Sequence, residues 1–206
     1  MKKSKIAMLA LCGMLACGSA AGGAYAVYTG LSEVSENQFT IKAGKLYETD
    51  KDKVGEIVED QWNPENAKGM MPNQEVPKNP KFTSNAEYDA WCIMKVAVPT
   101  EIMKIGGEST EQVHDMVTLK GVDSTNWTLL KAQKSTKDGT DSIYYYGYKT
   151  TLSKGESTSE LFTSILVPDI SELSSNVTDT VNVTVHLVQS EGYDTISDAF
   201  DTLGVQ

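Results

Sequence analysis

The feature that most constrains the fold is an alternation of apolar and polar side chains over residues 180–189. The apolar positions are Val181, Val183, Val185 and Leu187. The polar positions between them are Asn182, Thr184 and His186. Because successive side chains of a β-strand point to opposite faces, this pattern predicts a strand with one buried and one solvated face. We expect Val183 and Val185 to lie in the core and His186 to be solvated.

Similar strand signals recur along the chain and are separated by turn residues. The most apolar run is residues 89–99, which is expected to end at Pro99 and to place Trp91 and Val96 in the core. A turn at residues 137–139 separates two further strands of a predicted hairpin. The other predicted strands cover residues 37–44, 126–131, 142–149 and 161–168. Strands joined by turns, with little helix, indicate an all-β sandwich or barrel.

Four regions depart from this pattern. Residues 45–59 are strongly charged and predict a weak strand followed by a loop. Residues 63–80 hold four of the six prolines, so we expect a long, extended surface loop. Residues 102–121 are ambiguous, and a short helix could begin within them at residues 108–111. A short helical turn is predicted near the C-terminus, at residues 196–200.

The N-terminal segment has the order of features that a secretory signal requires. Three early lysines precede an apolar run over residues 6–17, and small residues lead to Ala24-Tyr25-Ala26. Cleavage after Ala26 would leave a mature chain that begins at Val27, so the protein is expected outside the cell or at its surface. The apolar run is too short for a helix that crosses a bilayer core of about 30 Å.

A second interpretation places the cleavage before Cys17, which would then carry a lipid and anchor the protein. With the cut after Ala26, the mature chain keeps a single cysteine, Cys92, and an intramolecular disulfide is excluded. Cys92 lies in the apolar run and is expected to be a buried, inert side chain.

The charge balance argues against a nucleic-acid partner. Residues 27–206 carry 15 lysines, no arginine and 28 acidic residues, which gives a net charge of −13. Neither a basic patch nor a bidentate phosphate contact is available in such a chain.

The sequence offers few residues for catalysis. Its two histidines, His114 and His186, lack the spacing of a zinc peptidase motif, and no serine lies in a nucleophile elbow. We therefore expect no catalytic residues, metal ligands or cofactor. The tyrosines of residues 144–148 suit strand packing, and alternatively an exposed aromatic surface for carbohydrate.

Several blocks resemble, in the same order, the TasA/camelysin family of exported proteins of Gram-positive bacteria. The blocks are GAYAVYT at 23–29, SENQFTIKAG at 35–44, MPNQEVPKNP at 71–80, DAW at 89–91, YGYK at 146–149, KGEST at 154–158, LF at 161–162 and VHLVQSEGY at 185–193. Residues 102–121 match no part of that pattern.

The resemblance implies a jelly-roll-like β-sandwich over residues 42–206, including the Pro-rich loop at 63–80, after a signal peptide at 1–26. It implies a structural protein of the extracellular or biofilm matrix, released by a SipW-type signal peptidase. Such proteins form head-to-tail fibres in which an N-terminal donor strand completes the sheet of the next subunit. Residues 27–41 are the candidate donor strand here, with apolar positions at Val27, Leu31, Val34, Phe39 and Ile41. An accessory matrix protein is a further possible partner.

Two other functions remain open from the sequence. The first is a monomeric secreted adhesin or carbohydrate-binding module that uses the tyrosines of residues 144–148. The second is a metal-dependent peptidase, an activity ascribed to some camelysin-like proteins, which the two distant histidines make the weakest candidate.

Overall fold

The fold is taken from a computed structural model that describes residues 55–172 and 179–205, together with the backbone of residues 30–31. The predicted cleavage residues Ala24, Ala26 and Val27 lie outside the described residues. So do the predicted donor residues Val34, Phe39 and Ile41. Of the predicted donor segment, the structure describes only the backbone of Gly30–Leu31.

Strands are the main regular structure of the described chain. In chain order they are β1 (Gly30–Leu31), β2 (Gly55–Val58), β3 (Glu75–Pro77), β4 (Lys81–Ser84), β5 (Ala90–Ile105), β6 (Gln112–Asp115), β7 (Thr118–Lys120), β8 (Trp127–Gln133), β9 (Asp141–Tyr148), β10 (Ser164–Leu166), β11 (Ile170–Glu172) and β12 (Asn182–Gln189). A 3₁₀ turn, η1 (Pro64–Ala67), and one short helix, α1 (Ile196–Asp201), complete them.

The largest sheet is antiparallel and is built around the long strand β5. Its strand order is β1-β12-β5-β9-β8, and β6 and β11 pair with the C-terminal half of β5. The predicted hairpin of residues 126–149 is confirmed as β8 and β9. The alternating segment at residues 180–189 is confirmed as β12, which pairs with β5 without interruption.

A second set of strands comprises β2, β3, β4, β7 and β10, together with residues 155–163, which lead into β10. β3 pairs with β10 and β10 with β7, while β2 pairs with β4. Backbone hydrogen bonds join these short ladders, because Lys78 N–H donates to Thr163 and Thr158 N–H donates to Phe82. The Pro-rich segment is thereby held as part of a strand pair, and its end is buried rather than at the surface. The expectation of a surface loop is wrong for Val76 and for residues 78–80, which are buried, whereas Pro77 is exposed.

The main hydrophobic core is formed by side chains from both sets of strands. β5 and β12 contribute alternate residues that include Val96, Val183 and Val185, each with no exposed surface. Phe82 and Phe162 come from the second set and are equally buried. The strand period of two predicted from the sequence therefore places these residues on one face of the large sheet.

A smaller core lies on the opposite face of the large sheet. There α1 packs against Trp91 and Ile93 of β5, Tyr145 of β9 and Val188 of β12. Trp91 and Val96 are both buried, as expected, but on opposite faces of the sheet, because an odd number of positions separates them along β5. α1 begins with a capping box in which Thr195 and Asp198 exchange hydrogen bonds, as the predicted helical turn requires.

β-strand accounts for 46% of the described residues and is accompanied by one short helix, which confirms the all-β class. The helix considered for residues 108–111 is wrong, because the chain there turns from β5 into β6. The expected strand end at Pro99 is also wrong. β5 continues to Ile105, because Thr100–Met103 pair with β6, and Lys104 and Ile105 pair with β11, beyond the last β5 residue in the ladder with β9, which is Pro99.

Candidate functional site

The candidate site is the outer edge of β12. The inner edge of this strand pairs with β5 in an unbroken register that runs from Asn182 opposite Ala97 to Gln189 opposite Ala90. Because no bulge interrupts this ladder, the backbone of β12 presents regularly spaced N–H and C=O groups on its other side. Such an edge is a template for an added strand.

Part of that outer edge is occupied by residues from the predicted donor segment. Gly30 lies opposite Leu187 and Leu31 lies opposite His186 in an antiparallel ladder. Among the described residues, β1 is the only strand besides β5 that pairs with β12. The structure thus brings the N-terminal segment and the C-terminal strand of the large sheet together, which the sequence alone did not indicate.

The two faces of β12 differ in character. Val183, Val185 and Leu187 lie in the main core. On the other face, Thr184 is buried and His186 is only partly exposed. Burial and the positive charge of Lys95 both hold the pKa of His186 below its ordinary value. The prediction of a solvated His186 is therefore wrong.

Two polar atoms on this face of β12 lack hydrogen bonds. Nε2 of His186 and Oδ1 of Asn182 are buried and have no partner within the described part of the chain. Buried polar atoms without partners are rare and unfavourable in folded proteins. Burial and the nearby Lys95 favour the neutral imidazole, because protonation would place a second positive charge close to Lys95.

A buried ion pair fixes the end of the Pro-rich segment. Lys78 has no exposed surface, its Nζ lies 2.7 Å from Oε1 of Glu59, and it sits 4.9 Å from the centroid of the Trp62 ring. Burial lowers the pKa of Lys78, and the negative charge of Glu59 opposes that effect. The neighbouring Asn79 donates to carboxylate oxygens of Asp60 and Glu160.

These contacts hold the segment that follows β2 against the start of β4. Sequence reasoning missed them because a lysine and an asparagine among prolines are typical of a solvated loop. Their role is structural: all the hydrogen bonds described for Lys78 and Asn79 connect backbone segments of the second set of strands.

A polar network at Asp115 joins β6 to the hairpin of β8 and β9. The Asp115 carboxylate accepts hydrogen bonds from Lys134 Nζ at 2.8 Å, Ser142 Oγ at 2.5 Å and Tyr144 OH at 2.5 Å. Burial acts to raise the pKa of Asp115, but these three donors outweigh it, and the pKa lies below its ordinary value. The carboxylate is fully engaged in structural contacts.

The tyrosine-rich strand does not present an aromatic platform. Tyr145 and Tyr146 are buried, at 7% and 9% exposure, on opposite faces of β9. Tyr144 is held by Asp115, and Tyr148 packs edge-on against Trp127 with ring centroids 5.0 Å apart. These four described tyrosines therefore do not form the exposed aromatic surface that a carbohydrate-binding module would use.

Groups suited to catalysis or metal binding are sparse. No cluster of three or more His, Cys, Asp or Glu side chains with metal-binding geometry occurs in the described ranges. Nε2 of His114 lies 2.9 Å from Oε2 of Glu108. Burial raises the pKa of the Cys92 thiol, which keeps the thiol protonated and unreactive. Within the same ranges, no helix is long and apolar enough to cross a membrane.

Comparison of the chain with protein-family models, with curated proteins and with solved structures found no match. The functional interpretation therefore depends on the sequence patterns and on the geometry of β12.

Proposed function

We propose that this chain is a secreted structural protein of the extracellular or biofilm matrix, and that it assembles into fibres by donor-strand complementation. In this proposal residues 27–41 of one subunit add to the outer edge of β12 in the next subunit. The resemblance of the sequence to the TasA/camelysin family supports the proposal, as does the signal-peptide pattern that ends at Ala26.

The observation that carries the proposal is the pairing of Gly30–Leu31 with His186–Leu187. An edge strand that accepts these residues from its own chain can accept the same residues from another copy, because backbone hydrogen bonds are identical in the two cases. Exchange between copies is heterologous, with the donor and acceptor at different places on each subunit. Such contacts produce open filaments when the rotation between subunits does not close a ring.

The described part of the chain holds a large core of its own. Among the described residues, the buried side chains of the main core come from Val76 onward, and Ile57, Trp62 and Met70 pack against them. We infer that the two sets of strands form a jelly-roll-like sandwich around this core, and that the domain folds when the donor segment is removed. An independent fold is what donor-strand exchange requires, because the segment must leave one subunit before it joins another.

Electron microscopy of two purified proteins tests the proposal. One protein begins at Val27, and the other begins at Lys42 and lacks the donor segment. We expect filaments from the first and folded monomers from the second, with matching far-ultraviolet circular dichroism. Monomers from both would refute self-assembly and favour a soluble binding module, whereas filaments from both would show that assembly does not use residues 27–41.

A further inference from the structure

Two edges of the large sheet differ in construction: the outer edge of β12, where only the two residues of β1 pair within the described chain, and the outer edge of β8. β12 forms a continuous ladder with its neighbour, whereas β8 contains a β-bulge. In β8, Leu129 lies opposite Tyr146 and Lys131 lies opposite Tyr145, so Leu130 has no paired residue. A bulge bends its strand and increases the local twist, which spoils the straight edge that another strand would need.

The bulge residue is held by contacts on the helix-covered face. A Cβ atom at Gly147 would lie 2.8 Å from Cδ1 of Leu130 and 2.4 Å from Cγ1 of Ile196, so both side chains lie directly over this glycine. Leu130 also packs against the smaller core beneath α1. The space left by Gly147 therefore accommodates the side chain of Leu130, the extra residue of the bulge.

The C-terminal tail adds a second constraint beside β8. Nζ of Lys131 donates to the carbonyl oxygen of Val205 at 3.0 Å, and Leu203 and Val205 pack against the smaller core. A lysine next to the bulge disfavours edge-to-edge pairing, because pairing would bring like charges and their hydration shells together. Within the described part of the chain, β8 pairs with β9 alone.

We propose that strand addition to this sheet is restricted to the β12 edge, and that the Leu130 bulge and the tethered tail hold the β8 edge closed against a second copy of the chain. This closure prevents lateral association through Leu129, which is 51% exposed beside the edge. The closure of the β8 edge goes beyond the proposed fibre function, because it would limit lateral association even if the protein formed no fibres.

A cysteine reporter on the full mature chain tests the closure. Leu129→Cys places a thiol beside the β8 edge, and Met71→Cys places one on an exposed loop, where the native side chain is 65% exposed. The native Cys92 is fully buried and does not compete. Under mild oxidation we expect the two variants to form disulfide-linked dimers at similar, slow rates. Much faster dimerisation of Leu129→Cys would overturn the proposal, because β8 edges would then already pair.

Deletion of Leu130 in the Leu129→Cys background removes the bulge. We expect this variant to dimerise faster than its parent. Leu130→Ala in the same background is the matched control, since it loses the side-chain packing but keeps the extra residue, and its rate should equal that of the parent. Equal dimerisation rates for the folded deletion variant and its parent would contradict the proposal. Dimerisation of Leu130→Ala at the rate of the deletion variant would contradict it as well.

The readout is independent of filament formation, because only dimers linked through position 129 are scored on a non-reducing gel. If the deletion variant does not fold, Lys131→Met in the Leu129→Cys background replaces it. This change frees the tail from β8 and should also accelerate dimerisation. An unchanged dimerisation rate in a folded Lys131→Met variant would show that the C-terminal tail does not restrict the β8 edge, which would contradict the proposal.

Discussion

Lys78 illustrates how far a single side chain can depart from its usual environment. Lysine is almost never fully buried unless it is paired, and here the pair is Glu59 with the ring of Trp62 alongside. Loss of one partner from such a pair leaves an uncompensated charge in the interior, whereas replacement of both by apolar groups can be neutral. Neither the burial nor the partner could be predicted from the sequence, because the two residues are separated by the Pro-rich segment and meet only when it folds back.

The first prediction compares two leucines with opposite environments. Leu161 is fully buried in the main core, whereas Leu129 is 51% exposed on β8. Leu161→Ala should lower the free energy of unfolding by about 2–5 kcal/mol, because it removes buried methyl groups and leaves a cavity. Leu129→Ala should change it by less than about 0.5 kcal/mol. Urea unfolding followed by tryptophan fluorescence measures both, and equal losses would show that the core is assigned incorrectly.

The second prediction concerns the pH dependence of stability at Asp115. Its folded-state pKa lies below the unfolded value of about 3.9, so the ionised carboxylate stabilises the protein above that pH. The stabilisation is lost as the pH falls from about 4 through the folded-state pKa. Asp115→Asn should therefore be less stable than the wild type at neutral pH, and the gap should narrow in acid. Urea unfolding over a pH series measures this gap, and a constant gap would exclude the proposed linkage.

At the scale of elements, the strands with clear alternation or strong apolar character were predictable and the irregular ones were not. β12 and the β8–β9 hairpin follow directly from residue patterns. β6 and β7 did not, because their residues are polar or half-buried and owe their strand conformation to pairing with β5 and β10. β3 was not predicted because prolines usually exclude a strand. Pro77 is tolerated because it lies at the end of β3, which is an edge strand.

The third prediction concerns the contact between α1 and the sheet. Gly147→Ala would place a Cβ atom 2.4 Å from Ile196 and 2.8 Å from Leu130, so the helix or the bulge must move. We expect a loss of about 1–3 kcal/mol in unfolding free energy from overpacking, with faster amide exchange in α1. Gly107→Ala is the control, because no described atom lies within 4 Å of its added Cβ. If both variants match the wild type in urea unfolding and amide exchange, Ile196 and Leu130 do not lie this close to Gly147 in solution.

At the scale of the whole molecule, stability depends on the core rather than on covalent links. Cys92 is the only cysteine in the described residues, and it is a free, buried thiol. Two sets of strands share one core, and a second core under α1 covers part of the opposite face. The all-β class and many core residues were predictable from strand periodicity. The pairing of β12 with β1 was not, because strand order depends on pairings between distant segments that a single sequence does not encode locally.

The most direct test of donor-strand assembly uses two single-residue variants, Leu31→Cys and His186→Cys, whose positions face each other in the β1–β12 ladder. The two purified proteins are mixed before assembly, and the filaments are then oxidised. A mixture of Leu31→Cys with Leu129→Cys is the control. We predict rapid formation of disulfide-linked dimers in the first mixture, and in the control only the slow dimerisation expected of Leu129→Cys alone. Filaments without the Leu31–His186 link would contradict the assignment of β12 as the acceptor strand.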